Sequence, residues 1–353
     1  MMTDRNNKVN TMRENIFAKL GFQWEHTSFP YHELSVKEVV MRFNRSRAKF
    51  VWETGHLENN PFTFVEVQTL LDGITVGGHK LSDEDQIRGI ASSADMLIDM
   101  VAHKKFNFSL DTMCRLHYAL AEKEALDAGL IRGTGEASGT PNVFLGELGE
   151  YTPPLTEPGG ENLKAHFADA ASALRLITNP LERGIAAYLF VAKEQPFYDG
   201  NKRTGRLLMN GILMSEGVDA ISIPAAKQQE YNAMMCRYYA SFREKGLGDA
   251  SEAMGFMANI YTKFIESQKE RVITVIEANT EKGIYKGPVV NITDNHFTQA
   301  VGKELSVRLS VRHQFAHTRS ECISIGENIK VLYKDGIGKV TELDMENEKG
   351  NER

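Results

Sequence analysis

The feature that most limits the fold is a change in the spacing of apolar residues towards the end of the chain. From Ser35 to Ile276 apolar residues recur mostly at helical spacing. "SVKE" at Ser35–Glu38 has the capping-box pattern, "SDED" at Ser82–Asp85 places acids in a first turn, and Pro180 suits a first helical turn. After "NTEKG" short β-type runs alternate with glycines. These patterns predict a mainly α protein, a helical bundle followed by a small antiparallel β module.

The same patterns set the domain boundaries. Residues 1–34 carry little periodicity and are predicted to be a loose lead-in, residues 35–276 a helical domain, residues 281–341 the β module, and residues 342–353 a frayed acidic tail. The later helices are predicted at Leu163–Ile177, Pro180–Lys193, Thr204–Glu216, Ala225–Arg243 and Asp249–Ile276. The strands are predicted at Val289–Ile292, Phe297–Val301, Ile329–Tyr333 and Lys339–Thr341.

Composition excludes several classes of protein. The 353 residues are 42% apolar and 25% charged, as in soluble globular proteins. The net charge of −6 argues against a polyanion-binding surface over the whole protein, although a local basic patch stays open. No apolar run has transmembrane length and Met1–Pro30 has no charged-then-apolar leader, so we expect a cytoplasmic protein without a membrane partner. Three scattered cysteines form neither a disulfide framework nor a close-spaced zinc site.

The stretch "QPFYDGNKRTGR" at residues 195–206 carries the strongest chemical signal. Gly200, Asn201 and Lys202 lie between a loop and a helix N-terminus, where consecutive backbone N–H groups and the helix dipole favour an anion. Arg203 and Arg206 are three residues apart and can grip phosphate oxygens from one face. The alternative for each arginine alone is a solvated basic turn.

One acid completes this stretch. Asp199 lies beside the phosphate nest, and Mg²⁺ prefers one or two carboxylates together with phosphate oxygens. We therefore predict a di- or triphosphate held with magnesium over the start of a helix. It is not a P-loop, because the Gly-x4-Gly-Lys-Ser/Thr pattern is absent.

The whole stretch resembles the signature of the Fic family. The matching positions are Phe197, Asp199, Gly200, Asn201, Arg203 and Arg206. The resemblance covers roughly residues 36–265 and implies transfer of AMP from ATP to a hydroxyl of a target protein. It also implies that Asp199 holds magnesium, that the amides of residues 200–203 hold the phosphates, and that Arg206 holds the terminal phosphate.

Two positions depart from the signature. The family's catalytic histidine is Gln195 here, and an amide cannot act as a general base. Lys202 stands where a glycine is usual, and Asn-Lys-Arg resembles the Doc branch, whose members phosphorylate their targets. Three hypotheses stay open: an impaired adenylyltransferase, a non-catalytic nucleotide-binding module, and a Doc-like phosphotransferase.

A second resemblance concerns regulation. "TGHLEN" at Thr54–Asn59 resembles the inhibitory pattern of Fic proteins that have an N-terminal inhibitory helix, here at about residues 35–60. The resemblance implies that Glu58 pairs with Arg206 and takes the cation that the terminal phosphate needs. The alternative is a surface glutamate near a helix end.

The glycine-rich region 129–160 is predicted to be a long loop with a short hairpin. By resemblance, "NVFLGELGEYTPP" at residues 142–154 is the flap, within about residues 140–155, that aligns an extended target segment by strand addition. A mobile surface loop is the alternative. We expect adenine to lie against Tyr231, with Tyr239 as a weaker choice; both could instead be plain core residues.

The C-terminal module loosely resembles the small β modules named after the plasmid protein KfrB, which favours a bacterial source. Its basic stretch 303–319 leaves nucleic-acid contact open beside target docking. His313 and His317 within it are predicted to belong to a solvated patch. A homodimer also stays open.

Overall fold

The protein consists of a helical unit followed by a β unit, seen in a computed structural model that describes residues 2–25, 29–243, 246–269, 274–304, 307–319 and 323–342. The chain divides into two compact units, Met1–Lys263 and Phe264–Arg353. No helix within the described ranges is both long and apolar enough to cross a membrane.

Eleven α-helices occur in the described residues, and they confirm the mainly helical prediction. They are α1 (Met2–Leu20), α2 (Val36–Arg45), α3 (Arg47–Leu57), α4 (Phe64–Leu71), α5 (Leu81–Ala102), α6 (Leu110–Ala121), α7 (Glu161–Leu174), α8 (Pro180–Glu194), α9 (Asn201–Ser215), α10 (Gln228–Ala240) and α11 (Ser251–Lys269). Ser35 forms the predicted capping box with Glu38 at the start of α2. Helix α9 begins at Asn201, three residues before its predicted start, so Lys202 and Arg203 lie in its first turn.

Helix α8 is the centre of the helical unit. It is apolar on nearly every side and packs between α7 and α9, as expected of a fully buried helix. Gly205 of α9 allows the two helices to approach closely, because a Cβ there would lie 3.0 Å from the Tyr188 ring. Helices α5 and α6 pack against the other side of α9. The loop between α8 and α9 is therefore held between rigid elements.

The N-terminal segment differs from the predicted loose lead-in. Helix α1 packs against α7, and Leu20 at its end is fully buried. The strand β1 (Phe22–Gln23) follows and pairs in parallel with β4 (Gly248–Asp249). The helix is polar along most of its length, so its periodicity is weak, and it is the burial of its last turn and of Phe22 that joins it to the core.

The β unit contains a seven-stranded sheet among the described residues, with the order β5-β8-β7-β6-β10-β11-β9. The strands are β5 (Thr274–Glu277), β6 (Lys282–Ile292), β7 (His296–Glu304), β8 (Val307–Gln314), β9 (Thr318–Arg319), β10 (Asn328–Lys334) and β11 (Ile337–Glu342). The inner pairs are antiparallel, as predicted, whereas β5–β8 and β11–β9 are parallel. The two remaining short strands, β2 (Val143–Phe144) and β3 (Glu150–Tyr151), form the predicted antiparallel hairpin in the helical unit.

Two predictions for the C-terminal part are wrong. The predicted helix to Ile276 is wrong in its last residues, because α11 ends at Lys269 and residues 274–277 pair with β8. His313 is not part of a solvated patch: it is fully buried and stacks between Phe297 and Tyr333. The predicted acidic tail lies, after residue 342, outside the described residues.

Substitution Leu20→Ala tests whether α1 belongs to the core. We expect it to lower the free energy of unfolding by about 2–5 kcal/mol, because the removed side chain is fully buried. Met12→Ala in the same helix is the control, since Met12 is 43% exposed and should change stability little. Chemical denaturation measures both, and equal effects would contradict the assignment of α1 to the core.

Candidate functional site

The loop between α8 and α9 begins and ends with left-handed residues. Gln195 has φ of 46° directly after α8, and Gly200 has φ of 70° directly before α9. A side chain at residue 200 would be strained by this φ and would also lie 3.3 Å from His117 Nε2. The loop therefore turns sharply and presents the free backbone N–H groups of the first turn of α9, the groups that favour an anion.

Buried polar side chains fix this loop. Asn201 Oδ1 accepts a hydrogen bond from the Phe197 N–H at 2.9 Å, and its Nδ2 donates to the Phe197 carbonyl and to Gln195 Oε1. The side chain of Asn201 thus holds the loop itself, and its backbone N–H, the group predicted to bind phosphate, lies at the start of the helix. Phe197 is fully buried and anchors the loop in the core.

Arg132 holds the same loop from the other side, and sequence reasoning missed it. Its fully buried guanidinium donates to the carbonyl oxygens of Gln195 and Glu194 and, across the flap, to Thr156 and the Pro154 carbonyl. The only signal in the sequence was the presence of an arginine within the glycine-rich region. A buried arginine needs several hydrogen-bond partners, because burying an unpaired charge is costly.

His117 is the second residue that sequence reasoning missed. Its ring stacks on Phe197 with ring centroids 3.6 Å apart. The Gly129 N–H donates to Nδ1, so Nε2 carries the proton and donates to the Asp199 carbonyl at 3.0 Å. Burial lowers the pKa of His117 to about 4, with the nearby Arg203 charge acting in the same direction.

The two arginines of the motif are each held by a different carboxylate. Arg203 donates to both oxygens of Glu124, at 2.8 and 2.9 Å. Arg206 donates to Glu58 Oε1 at 3.0 Å, although 148 residues separate the two in sequence. The structure thus contains the pairing of Glu58 with Arg206 that the family resemblance implies, whereas the Glu124 contact had no sequence signal.

Cations surround Glu58. Lys202 Nζ lies 3.7 Å from Glu58 Oε2. Burial raises the pKa of Glu58, but the positive charges of Lys202, Arg206 and Arg203 outweigh burial and lower this pKa to about 2. Because the shift is downward, the stabilisation that Glu58 gives is complete above about pH 4.5 and is lost as the pH falls through about 2. Glu58 is therefore ionised throughout the neutral range.

A cleft of about 250 Å³ opens over the start of α9. It is lined by Glu58, Gln195, Tyr239, residues 198–203 and residues 141–144 of the flap. Arg206 does not line this cleft, and its side chain is only 3% exposed. Glu58 accordingly stands between the cleft and the Arg206 guanidinium.

Tyr231 does not lie where an adenine ring could stack on it. Its ring is fully buried beneath Arg206, its hydroxyl accepts a hydrogen bond from Arg206 at 2.9 Å, and it also bonds to the Tyr188 hydroxyl. The helical spacing could not separate a core tyrosine from a ligand contact. Tyr239, the weaker choice from sequence, is the tyrosine of α10 that lines the cleft.

The side-chain amide of Gln195 is hydrogen-bonded to other groups of the protein. Nε2 donates to the Ala192 carbonyl at 2.7 Å and to the Tyr239 hydroxyl at 3.2 Å, and Oε1 accepts from Asn201.

Asp199, in contrast, has a side chain that is 61% exposed at the rim of the cleft. Its carboxylate can take a hydrated Mg²⁺ together with phosphate oxygens, the ligand set this ion prefers.

The buried His117 ring gives a pH-dependent prediction. The folded protein binds fewer protons than the unfolded chain between about pH 6.5 and 4, so stability should fall as the pH is lowered through this window. His313 in the β unit also has a pKa of about 4 because of burial. We expect the histidine NMR titration to show both low pKa values and His117→Gln to remove one of them; a His117 pKa near 6.5 would contradict the buried, neutral ring.

Two family models match this chain. The Fic/DOC family model matches residues 107–213, which include the α8–α9 loop, and the KfrB domain model matches residues 284–342. A structure of Fic-1 from Caenorhabditis elegans aligns with a TM-score of 0.52 at 18% identity and covers 76% of this chain and 72% of that one. A structure of a Fic family protein from Desulfovibrio desulfuricans G20 aligns with a TM-score of 0.51 at 18% identity, covering 73% and 74%. Both likenesses concern the fold.

Curated relatives resemble this chain in sequence. The protein adenylyltransferase fic-1 of C. elegans is 25% identical over 241 residues, which are 67% of this chain and 43% of that protein. The protein adenylyltransferase Fic of Nematostella vectensis is 22% identical over 242 residues, 68% of this chain and 52% of that protein. The chain thus spans about half the length of these relatives. The resemblances to the Fic family and to the KfrB modules are confirmed: a Fic/DOC family domain is matched at residues 107–213 and a KfrB domain at residues 284–342.

Proposed function

We propose that this chain is a Fic-type protein adenylyltransferase, inhibited by its own Glu58 and impaired by Gln195. The observation that carries the proposal is the Glu58 carboxylate seated on Arg206 above the start of α9. A carboxylate there occupies the place of a terminal phosphate and has the same sign of charge. The curated relatives that are named protein adenylyltransferases support the same class of reaction.

The residues around the cleft fit ATP with magnesium. The first-turn amides of α9 and Lys202 would hold the phosphates, and Asp199 would hold the metal ion, which neutralises phosphate charge. Arg206 Nε is buried and has no hydrogen-bond partner among the described atoms, so this guanidinium has donor capacity left for a phosphate. The cleft is smaller than the roughly 300–1,000 Å³ of small-molecule sites, which fits a state that Glu58 keeps closed.

In the proposed reaction, the hydroxyl oxygen of a target protein bonds to the α-phosphorus while the bond from that phosphorus to the bridging oxygen breaks and pyrophosphate leaves. The hydroxyl proton needs an acceptor. The Gln195 amide cannot accept it, so the proton passes to water, and the lost base catalysis lowers the rate roughly 10²–10⁴-fold. The flap would align the target segment by strand addition, and its Phe144 side chain is 81% exposed beside the cleft.

A non-catalytic nucleotide-binding module is the second candidate. It is favoured by the side-chain amide of Gln195, which lines the cleft but has its Nε2 and its Oε1 hydrogen-bonded within the protein. Phosphotransfer of the Doc type rests on Lys202 alone, and Lys202 contacts Glu58 here. The cytoplasmic location and the homodimer stay predictions.

Substitution Glu58→Gln tests the inhibition. Removing the negative charge frees Arg206 for a phosphate, so we expect the affinity for ATP with magnesium to rise at least about tenfold. Glu252→Gln is the matched control, because Glu252 forms an exposed pair with Arg237 and should leave the affinity unchanged. Isothermal calorimetry measures both, and unchanged affinity of the Glu58 variant would remove the inhibitory role.

Substitution Gln195→His, made in the Glu58→Gln background, tests the reaction. We expect covalent self-labelling from ATP carrying the label on its α-phosphate to increase roughly 10²–10⁴-fold over Glu58→Gln alone, since the histidine restores a general base. Label transferred from the γ-phosphate would instead indicate phosphotransfer. Nucleotide binding without either label would favour the non-catalytic module.

A further inference from the structure

One face of the β unit is rich in lysine. On the paired strands β6 and β10, Lys282 lies opposite Lys334 and Lys286 lies opposite Lys330. On β11, Lys339 lies opposite Leu332. We call this surface the lysine face and define it by Lys282, Lys286, Lys330, Lys334 and Lys339.

Burial shows that these lysines share the outer side of the sheet. Ile329, Val331 and Tyr333, which alternate with them along β10, form the core of the unit. Lys330 is half-buried and the other four lysines are exposed. Ile284 and Leu332 are also exposed on this side, 61% and 43%, in the row between the two lysine pairs. No aspartate or glutamate occupies an outward position of β6 from 282 to 286, of β10 from 330 to 334, or of β11 from 337 to 341.

Protection of a sheet edge does not explain this pattern. Lysines on an edge strand often prevent it from pairing with a strand of another chain, but β6 and β10 lie inside the sheet. Like charges directly opposite each other destabilise a strand pair, and Lys282 with Lys334 is such a pair. Residues 282–342 hold nine basic and six acidic residues, whereas the whole chain has a net charge of −6. The positive charge is therefore local, and an anionic partner would relieve its repulsion.

We propose that the lysine face binds the phosphate backbone of duplex DNA, without sequence specificity. The two lysine pairs are four residues apart along each strand, ~13–14 Å at the rise of a β-strand. This separation is close to the major-groove width of about 12 Å, so each pair can meet one of the two backbones that border the groove.

Other anionic partners fit the lysine face less well. Single-stranded nucleic acid is normally held by aromatic side chains, and Tyr285 and Tyr333 lie in the inward-facing rows of these strands. Membrane-binding surfaces insert aromatic or long apolar side chains into the lipid, whereas the exposed apolar residues of this face, Ile284, Leu332 and Ile337, are aliphatic and each lies beside a lysine. The lysine face does not include the predicted basic stretch 303–319, although Arg319 of that stretch, on β9, lies opposite Lys339.

The test is binding of the full chain to a short, fluorescently labelled DNA duplex, followed by anisotropy over a range of salt. With four to five phosphate contacts, affinity should fall roughly a hundredfold or more between 50 and 200 mM salt. Lys282→Gln with Lys334→Gln should weaken binding about tenfold at low salt and reduce the salt slope by about two. Lys37→Gln with Lys105→Gln removes the same charge from exposed positions of the helical unit and should change neither.

Unaltered thermal unfolding should accompany the paired substitution on the lysine face, since both side chains are exposed. No duplex binding at low salt, or equal loss in both double variants, would overturn the proposal. Preferred binding of single strands, of duplex RNA or of anionic vesicles would overturn the choice of partner. Because no arm uses ATP or labelling, these results are independent of the proposed adenylyltransferase activity.

Discussion

The site depends on one constraint, the fixed conformation of the loop between α8 and α9. Two buried polar side chains hold it: Asn201 from within the loop and Arg132 from the side of the flap. Each satisfies backbone groups that would otherwise be buried without partners, which is costly. His117 adds a stacked, neutral ring beneath the loop. With the loop fixed, the free amides of α9 point at one place and the chemistry of the cleft follows from it.

The Glu58–Arg206 pair follows from the same constraint. The first turns of α9 carry Arg206 in a buried position, and a buried guanidinium requires a counter-charge. Glu58 supplies that charge from the end of α3, and its second carboxylate oxygen lies near Lys202. A terminal phosphate has the same sign of charge, so under the proposed function the nucleotide and Glu58 would compete for one cation. Glu58 and the phosphate would then be alternative occupants of a single cationic site.

Much of this could be predicted from the sequence because its signals are local. The capping box at Ser35, the hairpin at residues 143–151 and the order of residues 197–206 each depend on neighbouring residues. The misses depend on distant contacts. Helix α1 is joined to the core by burial of its end, and Tyr231 is a support for Arg206 because of packing that spacing alone does not show. Glu124 and Arg132 lie far along the chain from the groups they hold.

A crystal structure of the Glu58→Gln variant with ATP and magnesium tests the central claim most directly. The account predicts the terminal phosphate on the Arg206 guanidinium, the remaining phosphates over the first turn of α9 and the metal ion at Asp199. A nucleotide bound elsewhere, or phosphates that leave Arg206 unoccupied, would contradict it.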